Sequence, residues 1–509
     1  MQRILTPYQM RQAEAAAEKQ GTSLWDLMLN AGNQLAGIVF VRAKQLKAKS
    51  VLILCGKGNN GGDGYVCAAK LAAAEIGLEV AVCKLAGEPK TDLAKKALEL
   101  AEKDKSIDIY SELSEKPIRA DIIVDCVFGT GFHGELDKPR RREFQMISGV
   151  KAYKIACDLP SGVDSLRGTA AEGTCSFDET VTFHAPKLGM VMKPARALCG
   201  KVTVCDIGIP GNDTENSEDR TFIREAEADD LHKLMPIRPE HSHKGTFGKL
   251  LIIAGSENYI GAAAICSRAA LKTGCGIVNL AAPMSVIQAI AGNTPECVYT
   301  PLPRGDDGCI GKGALPILAE LIKTHDAVVV GCGLGQGEGT KKLVKGLIKK
   351  SEKPLVIDAD GINLLAKNID VLREKNCEMI LTPHIGELGR LAGISFREAQ
   401  ASRYDICRWL TDSYGITLHS KDSTTLTFSG AEAWVTNFGC SALAKGGSGD
   451  MLTGIIGSML AQGKSSAEAC MLGSYIMGRT AEMLCEGCSP AAISATDIIN
   501  EFKHSLTVL

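Results

Sequence analysis

The sequence predicts an α/β protein of two domains, each a three-layer αβα sandwich around a mainly parallel sheet. Three observations carry that expectation. Short continuous apolar runs recur along the chain and end at glycine or polar residues, the mark of strands buried on both faces. Helical stretches fall between them, and strands that alternate with helices require a parallel sheet covered on both sides. The series then runs a second time, after a polar, charged segment at 211–220 (GNDTENSEDR) that has no apolar periodicity and reads as a linker. The boundaries expected are therefore 1–210, 211–220 and 221–509, and 509 residues suit two domains better than one.

In the first half, 10–43 is helical in pattern with a break at Gly21-Thr22. Apolar runs at 50–55, 78–85, 121–128, 154–159, 179–183 and 201–207 read as strands, and 92–103 reads as a helix between two of them. Such sheets bind ligands beyond the carboxyl ends of their strands. The unusual residues lie there. The first strand runs into GKGNNGGDG (56–64), a glycine loop rich in side-chain oxygens, before a helix expected at 65–74. The third ends at Asp125 and a second glycine loop, Gly129 to Glu135, and the fourth at Asp158-Leu-Pro-Ser161-Gly162.

In the second half, strands are expected at 249–254, 276–282, 327–330, 354–357, 379–381 and 416–418, with helices at 262–272 and 313–323. Strand ends carry Gly331-Cys-Gly-Leu-Gly335, Asp358-Ala-Asp360-Gly-Ile-Asn363 and Thr382-Pro-His384-Ile-Gly-Glu387. His384 follows Pro at a strand end, where a site role and a structural role are both open. Lys421-Asp422-Ser423-Thr424-Thr425 suits either a phosphate or adenosine site or a solvated hairpin. His241-Ser-His243 reads as a polar loop rather than a metal pair. The segment 443–457 (LAKGGSGDMLTGIIG) is a glycine turn, one carboxylate and an apolar helix. Free amides at a helix start attract an anion. Asp450, in the first turn, is placed to take a proton from a group beside it. That is the kit for phosphoryl transfer to a hydroxyl; the other reading is a tight turn before a core helix, with Asp450 as a helix-start residue.

Composition narrows the class. Hydrophobic residues at 45% and charged residues at 23% fit an ordinary globular protein, and a net charge of -2 leaves no basic footprint for nucleic acid. The 19 cysteines are scattered through apolar runs, as reduced, buried thiols of a cytoplasmic protein would be. Cys485-Glu-Gly-Cys488 is an isolated pair and reads as a helix-end coincidence rather than zinc or redox chemistry. The first 20 residues lack an apolar signal core, and no run is long enough to span a bilayer.

GKGNNGGDG, VDCVFGTGFHGE and CDLPSGVD together resemble the N-terminal domain of the YjeF family, the NAD(P)H-hydrate epimerases, over about 1–210. The resemblance implies a Rossmann-like fold. It also implies that Asn59, Asn60, Gly61, Gly62, Asp63, Gly129, Thr130, Gly131, Phe132, His133, Gly134 and Glu135 hold a hydrated nicotinamide nucleotide. Asn60, Asp125 and Ser161 would hold K+, and Asp158 would touch the reacting carbon as the base. HKGTFGKLLIIAGS, GCGLG, DADGIN, TPHIGE and AKGGSGDMLTGIIGSMLAQG resemble the C-terminal YjeF domain over about 225–505. That resemblance implies a ribokinase-like fold with ADP- or ATP-dependent NAD(P)H-hydrate dehydratase activity, helped by Mg2+. Ala263, Gly335, His384 and Asp450 would then contact the hydrate. Lys421, Asp422, Ser423, Thr424, Thr425, Gly446, Gly447 and Gly449 would contact the adenine nucleotide. Cys332 stands where that family usually has Pro, and Asp422 where Gly is common.

The function implied is bifunctional repair of NADHX and NADPHX. One domain would epimerise the R and S forms. The other would dehydrate the S form with ADP, releasing AMP and phosphate. Neither nucleic acid nor membrane is an expected partner, and a homo-oligomer is expected because self-association is common in the family. The rival reading is a ribokinase-like small-molecule kinase carrying a non-catalytic nucleotide-binding module.

Overall fold

The structure is a computed structural model that describes residues 1–74, 77–113, 118–209 and 219–506. The chain divides into two compact units, Arg3–Phe222 and Ile223–Leu509 with Met1–Gln2. Most of the expected linker, 211–218, lies outside the described residues.

In the first unit seven strands run in the order Asp108–Tyr110, Glu79–Cys83, Ser50–Cys55, Ile122–Cys126, Tyr153–Cys157, Glu179–Phe183, Lys201–Cys205, and every pairing is parallel. The order reverses between Ser50–Cys55 and Ile122–Cys126, so a crevice opens beyond the carboxyl ends of those two strands. Two elements went unanticipated. Asp108–Tyr110 has only three residues, too few for an apolar run. Helix Lys138–Gly149 is strongly charged and buries only Phe144 and Ile147, too few apolar positions to set a period.

The glycine segment at 56–64 is not a loop throughout. Helix Asn59–Ala73 begins inside it, capped by Gly58, so Asn-Asn-Gly-Gly-Asp forms its first turn. The reason is close packing. A Cβ on Gly61 would sit 2.0 Å from the Gly56 carbonyl oxygen, and one on Gly64 would sit 2.8 Å from Cys55 Sγ. Glycine lets the helix drop onto the strand ends that aim its amides into the crevice. Gly61→Ala is expected to cost about 2–3 kcal/mol, because the clash is with backbone that cannot rotate away. Urea unfolding measures it.

In the second unit, next to strand Phe222–Glu225, the sheet runs Glu432–Thr436, Thr425–Ser429, Thr417–Ser420, Met379–Leu381, Leu355–Ile357, Ala327–Val330, Lys249–Ile253, Ile277–Pro283, Val298–Leu302. The first two pairings are antiparallel and the rest parallel. The antiparallel strands were missed because TLTFS and EAWVT mix hydroxyl or charged residues with apolar ones. Lys421 to Thr424 is therefore the turn of a hairpin. The order reverses at Lys249–Ile253, which pairs with both Ile277–Pro283 and Ala327–Val330. Helix Ser448–Ala461 is buried from Met451 onward and crosses helix Ile260–Lys272 so closely that a Cβ on Gly454 would lie 2.2 Å from the Cys266 carbonyl. No described helix is long and apolar enough to cross a membrane.

Candidate active sites

The first site is a cavity of about 730 Å³ at the switch point of the first unit. Asn59, Asn60 and Asp63 reach it from the helix start, Gly129 to Phe132 from the second glycine loop, and Asp158 from the end of strand Tyr153–Cys157. Asp158 has φ 64, the left-handed region, which costs a non-glycine residue about 1 kcal/mol. Its amide is fixed to the Val181 carbonyl at 2.7 Å. The carboxylate accepts from Lys187 Nζ at 2.5 Å and Thr182 Oγ1 at 3.1 Å. Lys187 is 1% exposed and also donates to Thr182 Oγ1 and the Phe183 carbonyl, both at 3.0 Å. Two more carboxyls face this pair. Burial pushes Asp63 well above the carboxylate range, with Asp158 and Glu14 adding to it, and burial likewise raises Glu14. At its floor the cavity thus holds the buried Lys187, its carboxylate partner Asp158 and carboxyls that favour their protons.

Sequence reasoning missed Lys187 and Glu14. The signal for Lys187 was present: it follows the strand Glu179–Phe183 by four residues, a cation at a carboxyl strand end like the others already noted. The structure also divides the expected substrate set. Gly61 and Gly62 pack against Gly56 and Met28 rather than lining the cavity. His133, Gly134 and Glu135 leave it as well: His133 Nδ1 meets Asp164 Oδ2 at 3.2 Å, and Glu135 pairs with Arg141 at 2.6 Å on the surface.

Asp125 is buried and accepts from Ser161 N at 2.8 Å, Ser161 Oγ at 2.7 Å and Val127 N at 3.1 Å. Burial pushes it up to about 6. Ser161 Oγ also accepts from the Phe128 amide at 2.8 Å. Asn60 packs beside Gly129, where a Cβ would lie 3.3 Å from Asn60 Oδ1, and Asn60 Nδ2 is buried without a hydrogen-bond partner. The Asp125 carboxylate, which has only neutral donors, the Ser161 hydroxyl and the Asn60 amide oxygen are oxygen donors of the kind a hard cation takes, whereas the orphaned Asn60 Nδ2 is itself a donor and calls for an acceptor.

The second site centres on the start of helix Ser448–Ala461. Gly447, at φ 92, precedes it, and no side chain caps it, so its first amides are open to a ligand. Under the turn, Lys421 Nζ lies 2.6 Å from Asp358 Oδ1 and 3.5 Å from where a Cβ on Gly449 would be. Thr453 Oγ1 donates to Asp358 Oδ2 at 2.6 Å. Burial alone would raise Asp358, but Lys421 and the threonine hydroxyls outweigh it and hold the carboxylate below its usual range. Asp450, half-buried beside this pair, is pushed up to about 6, first by burial and then by Asp358.

His384 caps helix Ile385–Ala392: its Nδ1 accepts from Gly386 N at 3.0 Å, while Glu387 Oε2 accepts from His384 N at 2.9 Å. His384 also bridges to Lys421 along the backbone. Partial burial and Lys421 lower its basicity. Gly335, at φ 76, donates its amide to Asp360 Oδ2 at 2.9 Å. Ala263 is fully buried, its methyl against Gly255. In the hairpin turn, Thr424 Oγ1 donates to Asn437 Oδ1 at 2.7 Å, and Asp422 accepts from Ser423 N at 2.7 Å. Asp422 also stands 3.5 Å from Arg403, a buried guanidinium that donates to Ser420 Oγ at 2.9 Å. Asp358, Thr453, Glu387 and Arg403 carried no role in the sequence reading. The first three sat inside quoted motifs, whereas nothing local marks Arg403.

Burial pushes Glu387 up to about 7 from an ordinary 4.5. A carboxyl raised on folding favours the native state below its unfolded value, and that contribution is lost as pH rises through the folded value, here between about 4.5 and 7. Glu387→Gln is therefore expected to gain up to about 2 kcal/mol on wild type at pH 8 and little at pH 4.5. Urea midpoints at the two pH values check this. Equal differences at both would remove the buried-proton account.

Each unit thus has a carboxylate beyond the carboxyl end of a parallel strand, beside a glycine-framed helix start, the architecture of an enzyme that handles nucleotides at two centres. Residues 25–189 match the family described as YjeF-related protein N-terminus, and residues 250–504 match the family described as NAD(P)H-hydrate dehydratase. The bifunctional NAD(P)H-hydrate repair enzyme Nnr of Thermofilum pendens is 34% identical over 97% of this chain and 94% of its own. The enzyme of that name from Escherichia coli is 33% identical over 96% and 91%. Among solved structures, the ADP/ATP-dependent NAD(P)H-hydrate dehydratase of Bacillus subtilis, co-crystallised with ATP/Mg2+, is 27% identical, with a TM-score of 0.48 over 55% of this chain and 96% of that one. The chain belongs to the family of bifunctional NAD(P)H-hydrate repair enzymes.

Proposed function

We propose that the first unit epimerises hydrated NADH and NADPH and that the second dehydrates the S epimer with ADP, releasing AMP and phosphate. The observation that carries this reading is the presence of two separate buried carboxylate–lysine centres in a chain similar from end to end to such enzymes.

In the second unit Asp450 takes the proton of the hydrate hydroxyl. Raised to about 6, it is ionised at neutral pH yet more basic than a free carboxylate. The hydroxyl oxygen attacks the terminal phosphorus of ADP, and AMP leaves. The open amides of Gly447 and Gly449, with Lys421, stabilise the charge on the transferring phosphoryl. The phosphate ester then departs, pushed by the ring nitrogen, and loss of the neighbouring ring proton restores the dihydronicotinamide. Mg2+ is carried chiefly by nucleotide phosphates and supplies charge neutralisation to such transfers. Ala263, Gly335 and His384 bind the hydrate. Lys421 to Thr425 with Gly446, Gly447 and Gly449 bind the nucleotide.

In the first unit Asp158 takes a proton from the hydrate and returns it, while Lys187 holds the carboxylate in its left-handed perch. Asn59, Asn60 and Asp63, with Gly129 to Phe132, hold the nucleotide. Asn60, Asp125 and Ser161 hold K+, which would offset the buried negative charge there. We place the domain boundary in 211–220, the enzyme in the cytoplasm and the working form as a homo-oligomer.

The test is recovery of the dihydronicotinamide absorbance band from a mixture of both NADHX epimers, with ADP and Mg2+. Full recovery supports both halves. A stable phosphorylated product without recovery would return the second unit to a small-molecule kinase.

A further inference from the structure

Residues 437–447 carry the chain from strand Glu432–Thr436 into the glycine turn before helix Ser448–Ala461. One end of this segment touches the nucleotide hairpin through Asn437 and Thr424. The other is tied down by Lys445, which donates to the carbonyls of Ala491 and Ile493 at 2.6 and 2.7 Å. Between them, Gly439 N donates to Glu482 Oε1 at 2.7 Å, and Cys440 Sγ lies 3.0 Å from Cys485 Sγ. Glu482 and Cys485 are both on helix Ser466–Gly487.

Fifteen of the cysteines are buried, whereas Cys440 and Cys485 are half-exposed. Cys488, close to Cys485 in sequence, turns out and donates its thiol to the Leu484 carbonyl at 3.2 Å. The partner of Cys485 is thus 45 residues away, where spacing could not show it.

We propose that Cys440 and Cys485 are a reversible redox modification site, whose disulfide resets the glycine turn of the dehydratase centre. This rests on the dehydratase reading above. The oxidant is a small-molecule disulfide of the glutathione type. One protein thiolate attacks it, forms a mixed disulfide and displaces one small thiol. The second protein thiol loses its proton, attacks the protein-side sulfur and displaces the other small thiol. Two protein thiols are oxidised by two electrons and one small disulfide is reduced. A covalent S–S bond is about 1 Å shorter than the present separation, so closure draws Cys440 toward the helix. The backbone that moves is the one that aims Gly447 and Gly449, and phosphoryl transfer tolerates about 1 Å of misplacement poorly.

The experiment incubates the full chain with glutathione disulfide at graded ratios to glutathione. Disulfides are mapped by non-reducing peptide mass spectrometry. Dehydratase turnover, epimerase turnover and ADP affinity by calorimetry are followed together. The expected result is a Cys440–Cys485 peptide pair that rises as dehydratase turnover falls at least five-fold. ADP affinity falls with it, epimerase turnover stays unchanged, and dithiothreitol restores both losses. Cys440→Ser and Cys485→Ser keep full reduced activity and ignore the oxidant, while Cys488→Ser responds as wild type does. Glutathione attached at Cys488 with no 440–485 pair overturns the proposal. So does a 440–485 pair that leaves both turnover and ADP affinity within two-fold. If the reduced chain shows no dehydratase turnover, the functional reading fails, and the peptide map with the ADP titration still decides the redox site.

Discussion

Asp450→Asn is expected to lower dehydratase kcat by at least about 10³-fold while ADP affinity changes little. A positioned base contributes roughly 10²–10⁴-fold. Here it also works beside amides and a lysine that the substitution leaves in place. Loss of fold would be the trivial explanation, and the raised pKa predicts a stability change of the opposite sign. Asp450 rises to about 6 on folding, from 3.8, so its ionisation in the native state opposes folding as pH climbs through that window. Asparagine removes the opposition. After discounting for solvent at this half-buried position, the variant should be more stable than wild type by about 1 kcal/mol at pH 7.5. Wild-type kcat should rise with pH through about 6 and then level, and the residual activity of the variant should lose that step. A variant with undiminished kcat at pH 8 would remove Asp450 as the base.

The second large effect concerns Lys187. Lys187→Met should abolish epimerisation, leave turnover of the S epimer in the second unit untouched, and destabilise the first unit by about 3–5 kcal/mol. Breaking a buried pair from one side strands the other charge, and that penalty exceeds the net value of the pair. Among the described residues Lys187 is the cation paired with Asp158, and Thr182 alone cannot replace an ammonium. Adding Asp158→Asn to Lys187→Met should restore most of the stability and none of the epimerase turnover. A double variant as unstable as the single one would mean that Lys187 acts by packing rather than by charge. Stability is read by urea unfolding, and the two activities by the fraction of an epimer mixture that each variant can recover.

Much of the fold was legible because parallel strands buried on both faces are written as plain apolar runs. Ser50–Cys55, Ile122–Cys126, Ala327–Val330 and Met379–Leu381 stood out for that reason. Where a strand is three residues long, as at Asp108–Tyr110, or mixes polar and apolar residues, as at Thr425–Ser429, the run disappears and so did the expectation. The sites followed the same rule. Residues at glycine-rich strand ends, Asn60, Asp125, Asp158 and Asp450, were visible because side-chain oxygens beside glycine are rare in a plain turn. Lys187, Glu14 and Arg403 act through partners distant in sequence, and a one-dimensional pattern does not encode who those partners are. The start of helix Asn59–Ala73 was misread because glycine usually signals a loop. Here it signals contact so close that no side chain fits.

The continuity of the first unit, Arg3–Phe222, bears on the order in which the protein matures on the ribosome. Every strand and helix of that unit can clear the exit tunnel while most of the second unit is still to be made. At about 5–20 residues per second the remaining chain takes on the order of tens of seconds to emerge. The epimerase centre can therefore be complete while the dehydratase centre still lacks its parts. Strand Lys249–Ile253 must wait for Ala327–Val330 to close its sheet, and Lys421 and Asp450 arrive later still. A nascent chain stalled after Phe222 should already bind nicotinamide nucleotide, whereas ADP binding should appear only after the last helix, Ala495–Leu506, has been released.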